Sequence, residues 1–233
     1  MSKIKISMSW SGGKDSAFAL WKLMNDPNIE IARLHTTFGE ESRRVGMHGI
    51  HESLIEAQAD AIGLPLDKLY YPASGDNVAY EKAINKYLDE LQESGISSIA
   101  YGDIFLEDLK TYREDQLAKR SFKALFPLWK NNTKQTAYNF ISEGFRTLIC
   151  AADADKIAEK WVGKTFDHDF LDSLTDQVDP CGENGEFHTF CYDGPIFKKP
   201  ITITMKGVVS KSYHFKTAQG EEVEKKFWFA DLG

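Results

Sequence analysis

Residues 11–16 read S-G-G-K-D-S, six positions whose side chains, or lack of them, all have a use around phosphate. Gly12 and Gly13 let backbone N–H groups converge on an anion, and a helix starting there adds roughly half a positive charge at its N-terminus. Lys14 adds a full charge, and Ser11 and Ser16 can donate to phosphate oxygens. Asp15 is the odd member: a carboxylate beside phosphate is repelled unless it caps the helix or holds a cation. Both roles suit a nucleotide bound as its magnesium salt. The spacing excludes a Walker A loop, G-x-x-x-x-G-K-[ST], where a hydroxyl follows the lysine directly. Here Asp15 follows Lys14, and Met8 occupies the place of the upstream glycine. A glycine turn with an Asp or Ser cap and no ligand would use the same residues.

Those residues need elements that bring them to strand ends. Ile4, Ile6, Met8 and Trp10 alternate like a strand, and Ala17, Leu20, Trp21 and Met24 share one face of a helix from about Ser16. I-E-I-A-R-L-H-T-T-F predicts a second strand ending near Phe38. A helix from about His48 turns Ile50, Leu54, Ala57 and Ala61 inward and stops at Gly63. Residues 66–72 predict a third strand closed by Pro72, and a helix on Val78, Ala83, Ile84, Tyr87, Leu88 and Leu91 ends at Gly95. Residues 97–103 predict a fourth strand, followed by a helix through Leu109, Tyr112 and Leu117. Repeated strand–helix units imply an α/β fold, a parallel doubly wound sheet covered on both faces.

Ligands of such sheets bind outside the carboxyl ends of the strands. That places the loops after Trp10, Phe38, Pro72 and Tyr101 at the site. Thr36 and Thr37 there would frame adenine through backbone groups, or be present only for their β-propensity. Gly102 would let a nucleotide approach, and Asp103 would meet ribose or magnesium, or else cap the helix that follows. Arg113 offers a fork for the α-phosphate or a substrate carboxylate, against simple pairing with Asp108 or Asp115. His48 and His51 flank the helix after the second strand and would line the nucleotide cleft, or else be capping or surface residues. Asp167-His168-Asp169 looks like a metal cluster, but adjacent residues on a helix face apart.

After about Trp129 the pattern changes. A helix near 133–143 ends at Gly144, F-R-T-L-I-C-A-A forms a strand, and residues 155–174 read as mixed helix. A glycine-rich loop follows, V-D-P-C-G-E-N-G-E-F-H-T-F-C-Y-D-G-P, and then a β-hairpin turning at Gly220. Two domains result, 1–130 for ATP and 131–233, a smaller α+β unit, for the substrate. Phe227, Trp228 and Phe229 of the hairpin would cover the core or a partner, so a homo-oligomer is one expectation.

The formal net charge is −7 over 233 residues, which disfavours broad binding to nucleic acid, since that affinity comes from Lys and Arg. The three cysteines, Cys150, Cys181 and Cys191, form no C-x-x-C pair, so no disulfide framework or zinc knuckle is readable. No apolar run approaches a membrane span. A cytoplasmic protein with no membrane partner is the expectation.

S-G-G-K-D-S after the first strand resembles the PP-loop of the N-type ATP pyrophosphatases, whose fold is HUP-like, the adenine nucleotide alpha hydrolase type. C-G-E-N-G-E-F-H-T-F at 181–190, Y-D-G-P-I-F after it, Y-G-D-I-F-L-E-D-L-K-T-Y-R-E at 101–114 and F-P-L-W at 126–129 resemble the diphthine–ammonia ligase family. The resemblance covers about residues 4–197. Phe187-His188 stands where eukaryotic members commonly have Tyr-Glu, as in prokaryotic members. A bacterial source would imply another acceptor, such as a cobamide precursor. A tRNA-modifying enzyme and a nucleotide-binding module without catalysis are the functions that compete with an amide ligase.

The resemblance implies an AMP-forming amide ligase that uses ATP and Mg²⁺, takes ammonia as nitrogen donor, and acts on diphthine in elongation factor 2. It implies that Ser11, Gly12, Gly13, Lys14, Asp15 and Ser16 hold the β- and γ-phosphates, with Asp15 near the metal. Amide formation needs groups that collect ammonium and accept its proton, and paired carboxylates supply both. Glu186 is the first choice, Glu183 the second, and His188 a further proton acceptor. Without the resemblance the same residues read as a solvated acidic loop.

Overall fold

The computed structural model describes residues 3–72, 77–216 and 222–233. β1 (Ile4–Ser9) runs through S-G-G into α1 (Lys14–Met24). The helix begins two residues before the apolar periodicity suggests, because Gly13 in extended backbone is its N-cap and Lys14 and Asp15 fill its first turn. Around β1 lie β2 (Ile29–Gly39), β3 (Leu66–Tyr71), β4 (Ser98–Ala100) and β5 (Lys123–Leu125), in the order β3-β2-β1-β4-β5. Every pair is parallel. The chain steps outward from β1 through β2 to β3, then returns to β1's other side at β4. This reversal opens a crevice at the strand ends, where S-G-G-K-D-S lies.

Besides α1, the crossovers are α2 (Glu52–Ile62), α3 (Asn77–Glu93) and α4 (Glu107–Ala118). α2 starts later than the periodicity implies. His51 is its N-cap and Ile50 is buried in the preceding loop. Its inward face carries Leu54, Ile55, Gln58, Ala59, Ala61 and Ile62, so Ala57 is off that face and a glutamine is on it. Gly63 closes the helix at φ 85°, a left-handed conformation that suits glycine. The fourth strand ends at Ala100, and Tyr101–Asp103 leave the sheet. α4 buries only Leu117, so Tyr112 does not belong to a core face. β5 carries three residues, too few to show any period.

The rest of the chain forms an antiparallel sheet, β6 (Arg146–Asp153), β7 (Phe187–Asp193), β8 (Met205–Lys216) and β9 (Glu222–Leu232), in the order β7-β6-β9-β8. α5 (Thr133–Ser142) and the short α6 (His168–Asp172) pack with it. β7 corrects the reading of 178–195 as loop: Phe187, Thr189, Phe190 and Cys191 are buried, and their burial holds the second half of the glycine-rich stretch in the sheet. β8 and β9 are the expected hairpin strands, while the turn at Gly220 lies outside the described residues. Phe227 and Phe229 pack with Ala151, and Trp228 lies against the main core. All three cover the protein's own interior.

The main buried cluster runs without a break from Ile6 and Phe18 to Phe140, Phe166 and Phe190. The Phe18 ring on α1 meets Phe140 edge-on, with centroids 5.9 Å apart. α1 therefore has the parallel sheet on one flank and the C-terminal part on the other. Among the described residues no helix is long and apolar enough to cross a membrane.

Candidate active site

The S-G-G-K-D-S loop is braced from α2 and β7 before any ligand arrives. Gln58 of α2 is fully buried; its Oε1 accepts from the Trp10 indole at 2.9 Å, and its Nε2 donates to the carbonyls of Gly12 (2.9 Å) and Cys191 (2.6 Å). The Cys191 N–H in turn donates to the Gly12 carbonyl at 2.8 Å, so β7 is tied to the loop through its backbone. Gly12 needs its φ of 80°, and a Cβ there would meet Gln58 and Ile55 at 2.6 Å. Ser16 Oγ donates to the Gly13 carbonyl at 2.9 Å and lies 3.2 Å from Ser11 Oγ, which accepts from the Gly13 N–H at 3.3 Å. The loop's hydroxyls hold its shape as well as facing the cavity.

Lys14 is buried, and its backbone N–H donates to Thr189 Oγ1 of β7 at 2.9 Å. Its Nζ donates to both Asp15 carboxylate oxygens, at 2.9 and 2.7 Å, and to the Cys181 carbonyl. The Phe187 ring lies 5.4 Å away, within cation–π range. Burial works against the Lys14 charge, but Asp15, helped by Cys181 and Glu183, more than offsets it and raises Lys14 above its ordinary range. Burial lifts Asp15 above the usual carboxylate range, and Lys14 reverses this only in part. Asp15 does not cap the helix: Gly13 is the cap, with no side-chain bond. Its carboxylate neutralises Lys14 instead.

A cavity of about 370 Å³ opens beside this pair, within the range of small-molecule sites. Of the residues singled out in the sequence, Ser11, Lys14, Asp15, Ser16, Thr36, Thr37, Gly102, Asp103, Arg113, Glu183 and His188 line it. Three of these have functions that spacing does not reveal. Thr36 Oγ1 donates to the Trp10 carbonyl at 2.6 Å, tying β2 to the end of β1. Gly102 makes room for backbone as well as lining the cavity: a Cβ there would come within 2.9 Å of the Asp15 carbonyl carbon. Asp103 is not a cap, since Leu106 caps α4. It pairs with Arg113, Nε to Oδ2 at 3.0 Å and Nη2 to Oδ1 at 3.2 Å, which replaces Asp108 or Asp115 as the arginine's partner. The guanidinium also lies 4.1 Å from the Tyr101 ring centroid. Burial raises Asp103, partly opposed by Arg113.

The two glutamates divide. Glu186 is buried, absent from the cavity wall, and occupied by its own loop: it accepts from the N–H of Asp179 (3.1 Å) and Asn184 (3.0 Å) and from Asn184 Nδ2 (3.1 Å). Glu183 is on the wall, and its Oε2 accepts from the Ile104 N–H at 3.0 Å, closing the second part of the chain over the first. Burial, then the Asp15 charge, push Glu183 up to about 7, against the pull of the Ile104 bond and Lys14. A carboxyl in that range can hold or release a proton near neutral pH.

His48 lines the wall as well, one of the two places its position in the sequence allows. Its Nδ1 lies 3.3 Å from the Thr189 carbonyl, and its ring centroid is 4.6 Å from that of His188. Gln58 and Thr189 do not stand out in the sequence as site residues. Gln58 had a signal, a polar residue one turn after Leu54 on an apolar face; Thr189 had none beyond its place in the motif. Magnesium could be held through the single Asp15 carboxylate, with phosphate oxygens and water supplying the rest, as this ion commonly is. Among the described residues no group of three or more His, Cys, Asp or Glu forms a metal site.

Comparison with known proteins agrees in both halves. Residues 4–122 match the diphthamide synthase N-terminal domain and residues 132–232 the diphthamide synthase C-terminal domain. The chain is 27% identical over 238 residues to human diphthine–ammonia ligase, covering 90% of this chain and 86% of that one. It is 26% identical over 220 residues to the Schizosaccharomyces pombe diphthine–ammonia ligase, covering 87% of this chain and 36% of that protein, so it spans about a third of the length of that relative. A solved structure, the U34-tRNA thiolase NcsA from Methanococcus maripaludis with its [4Fe-4S] cluster, overlaps 61% of this chain and 57% of its own at 17% identity and a TM-score of 0.36, too little for fold or function to be carried over. With both of its parts matched in order along one chain, the protein belongs to the diphthamide synthase family.

Proposed function

We propose that this protein is an ATP-dependent, AMP-forming amide ligase that converts diphthine on elongation factor 2 to diphthamide with free ammonia, in the cytoplasm. The observation that carries the reading is the junction at the PP-loop. β7 and the Cys181–Glu183 loop close on S-G-G-K-D-S, so Glu183 lines the same cavity as Lys14 and Asp15. The Lys14 N–H is taken by Thr189, but those of Asp15 and Ser16, in the same first turn of α1, have no intrahelical acceptors and suit phosphate oxygens. Asp15 would hold Mg²⁺, which supplies charge neutralisation at the phosphates. The substrate carboxylate attacks the α-phosphorus, pyrophosphate leaves, and ammonia then displaces AMP.

Glu183, ionising near neutrality beside this site, is the group we assign to take the proton from the incoming nitrogen. Glu186 is assigned to shaping the loop. The names of the human and fission-yeast relatives support the substrate. The test incubates the protein with ATP, ammonium and diphthine-bearing elongation factor 2. AMP, pyrophosphate and the mass change of replacing OH by NH₂ on the factor are expected. ADP as product, or no change in the factor, would overturn the assignment.

A further inference from the structure

His48 and His188 come from opposite parts of the chain, yet their rings meet at 4.6 Å with a tilt of 40° on the wall of the cavity. His48 is held from several sides. A Cβ on Gly13 would stand 3.0 Å from His48 Cε1, so the missing side chain of Gly13 leaves room for this ring against the PP-loop. Behind it, Gly49 packs on the Phe229 ring of β9, where a Cβ would come within 2.7 Å. The Arg44 guanidinium holds the Gly49 carbonyl at 2.6 Å. The Thr189 carbonyl can only accept, so His48 Nδ1 carries the hydrogen of their bond. In a neutral ring, Nε2 then has a lone pair and no hydrogen to offer.

A lone pair suits a cation or an N–H donor, but the surroundings favour an anion. Lys14 and the N-terminus of α1 lie on the same side. The other charged groups lining the cavity are Asp15 on α1, Asp103 and Arg113 at β4–α4, and Glu183. We propose that His48 and His188 form a proton-linked wall of the phosphate site: the diphosphate end of a bound nucleotide, or free pyrophosphate, enters together with a proton that the imidazole pair holds. The proton comes from solvent, turns Nε2 from acceptor to donor, and leaves the wall positively charged only while phosphate is present. In the empty site burial, then Lys14, hold His48 down to about 4, against the Thr189 bond. Burial, then His48 and Lys14, hold His188 well below its ordinary value.

This inference rests on reading S-G-G-K-D-S as a phosphate site, and the experiment separates the two. Titration calorimetry with Mg²⁺–ATP, and separately with inorganic pyrophosphate, is run near pH 7.5 in buffers of different ionisation enthalpy. Proton uptake should accompany binding, survive Glu183→Gln, and fall by more than half in His48→Asn, whose amide can still donate to Thr189. Imidazole nitrogen NMR shifts of the unaltered protein should move toward the protonated form on adding pyrophosphate, which does not depend on any variant folding. No binding of either ligand would sink the phosphate-site reading itself. Binding without uptake, uptake lost only in Glu183→Gln, or unmoved histidine shifts would overturn the proton-linked wall and leave the phosphate site standing.

Discussion

At the scale of single residues, two glutamates three positions apart do different work because one is used up by its own loop. Glu183 must be ionised to accept a proton, so turnover should rise with pH through about 7. Glu183→Gln should remove most of the turnover and flatten that profile, read by pyrophosphate release across pH 6–9. Glu186 accepts three bonds within its loop. Glu186→Ala strips those donors, and at roughly 1 kcal/mol for each bond it should cost about 3 kcal/mol in urea denaturation. Turnover lost at unchanged stability would move Glu186 back into the chemistry. The pair Arg113–Asp103 follows the same logic: the arginine's partner carboxylate lies on the turn out of β4, outside the helix that carries the arginine.

At the scale of elements, S-G-G-K-D-S is a turn held from outside. Gln58 on α2 satisfies the Trp10 indole and the carbonyls of Gly12 and Cys191 together. Gln58→Leu fits the apolar face of the helix but takes the acceptor from the Trp10 indole and leaves the Gly12 carbonyl with the Cys191 N–H alone, so stability should drop by about 2 kcal/mol and nucleotide affinity with it. Calorimetry and thermal melting check both. A melt unchanged from the parent would show that the bracing is dispensable. Gly102 sits where the end of β4 passes the first turn of α1, and Gly102→Ala forces a Cβ to 2.9 Å from the Asp15 backbone. An insertion of that kind typically costs about 1–3 kcal/mol. Here the shift falls on the helix end that faces the cavity, so ATP binding should weaken by more than the melting temperature suggests.

At the scale of the whole molecule, buried histidines make the fold sensitive to acid. His35, buried under Ser7 and Tyr87, is held down to about 3 by burial, then Arg113, and His48 to about 4. His188 lies lower than ordinary as well. The unfolded chain binds these protons first, so their contribution is full above about pH 6.5 and is lost as pH falls toward 4 and then 3. For His35 the full loss is on the order of 5 kcal/mol, and a melting temperature that holds steady from pH 6.5 to 4 would contradict it. Glu183 works in the opposite sense, because its folded form keeps its proton up to about 7. The unbroken core predicts a second outcome: residues 1–130 alone, stripped of Phe140 and Phe145 around Phe18, should not fold cooperatively. A sharp two-state melt of that fragment would show that the first part is an independent domain.

Local pattern determined much of this protein. The glycine–lysine–aspartate turn after an alternating strand, the Gly63 stop and the repeated strand–helix units fix a parallel sheet with a glycine-rich turn at its carboxyl edge, because backbone conformation and periodicity are short-range properties. The 181–190 motif named the family for the same reason. What needed the tertiary structure was every relation between distant segments. β5 and β7 were too short or too glycine-flanked to announce themselves, Gly102 makes room for backbone from the start of α1, and Lys14 meets Asp15 and Cys181 together. The order of the two glutamates and the place of His48 were likewise decided by which loops close on α1. Hydrogen bonds and burial act through space, and a residue's task in a site is set by the neighbours that folding brings to it.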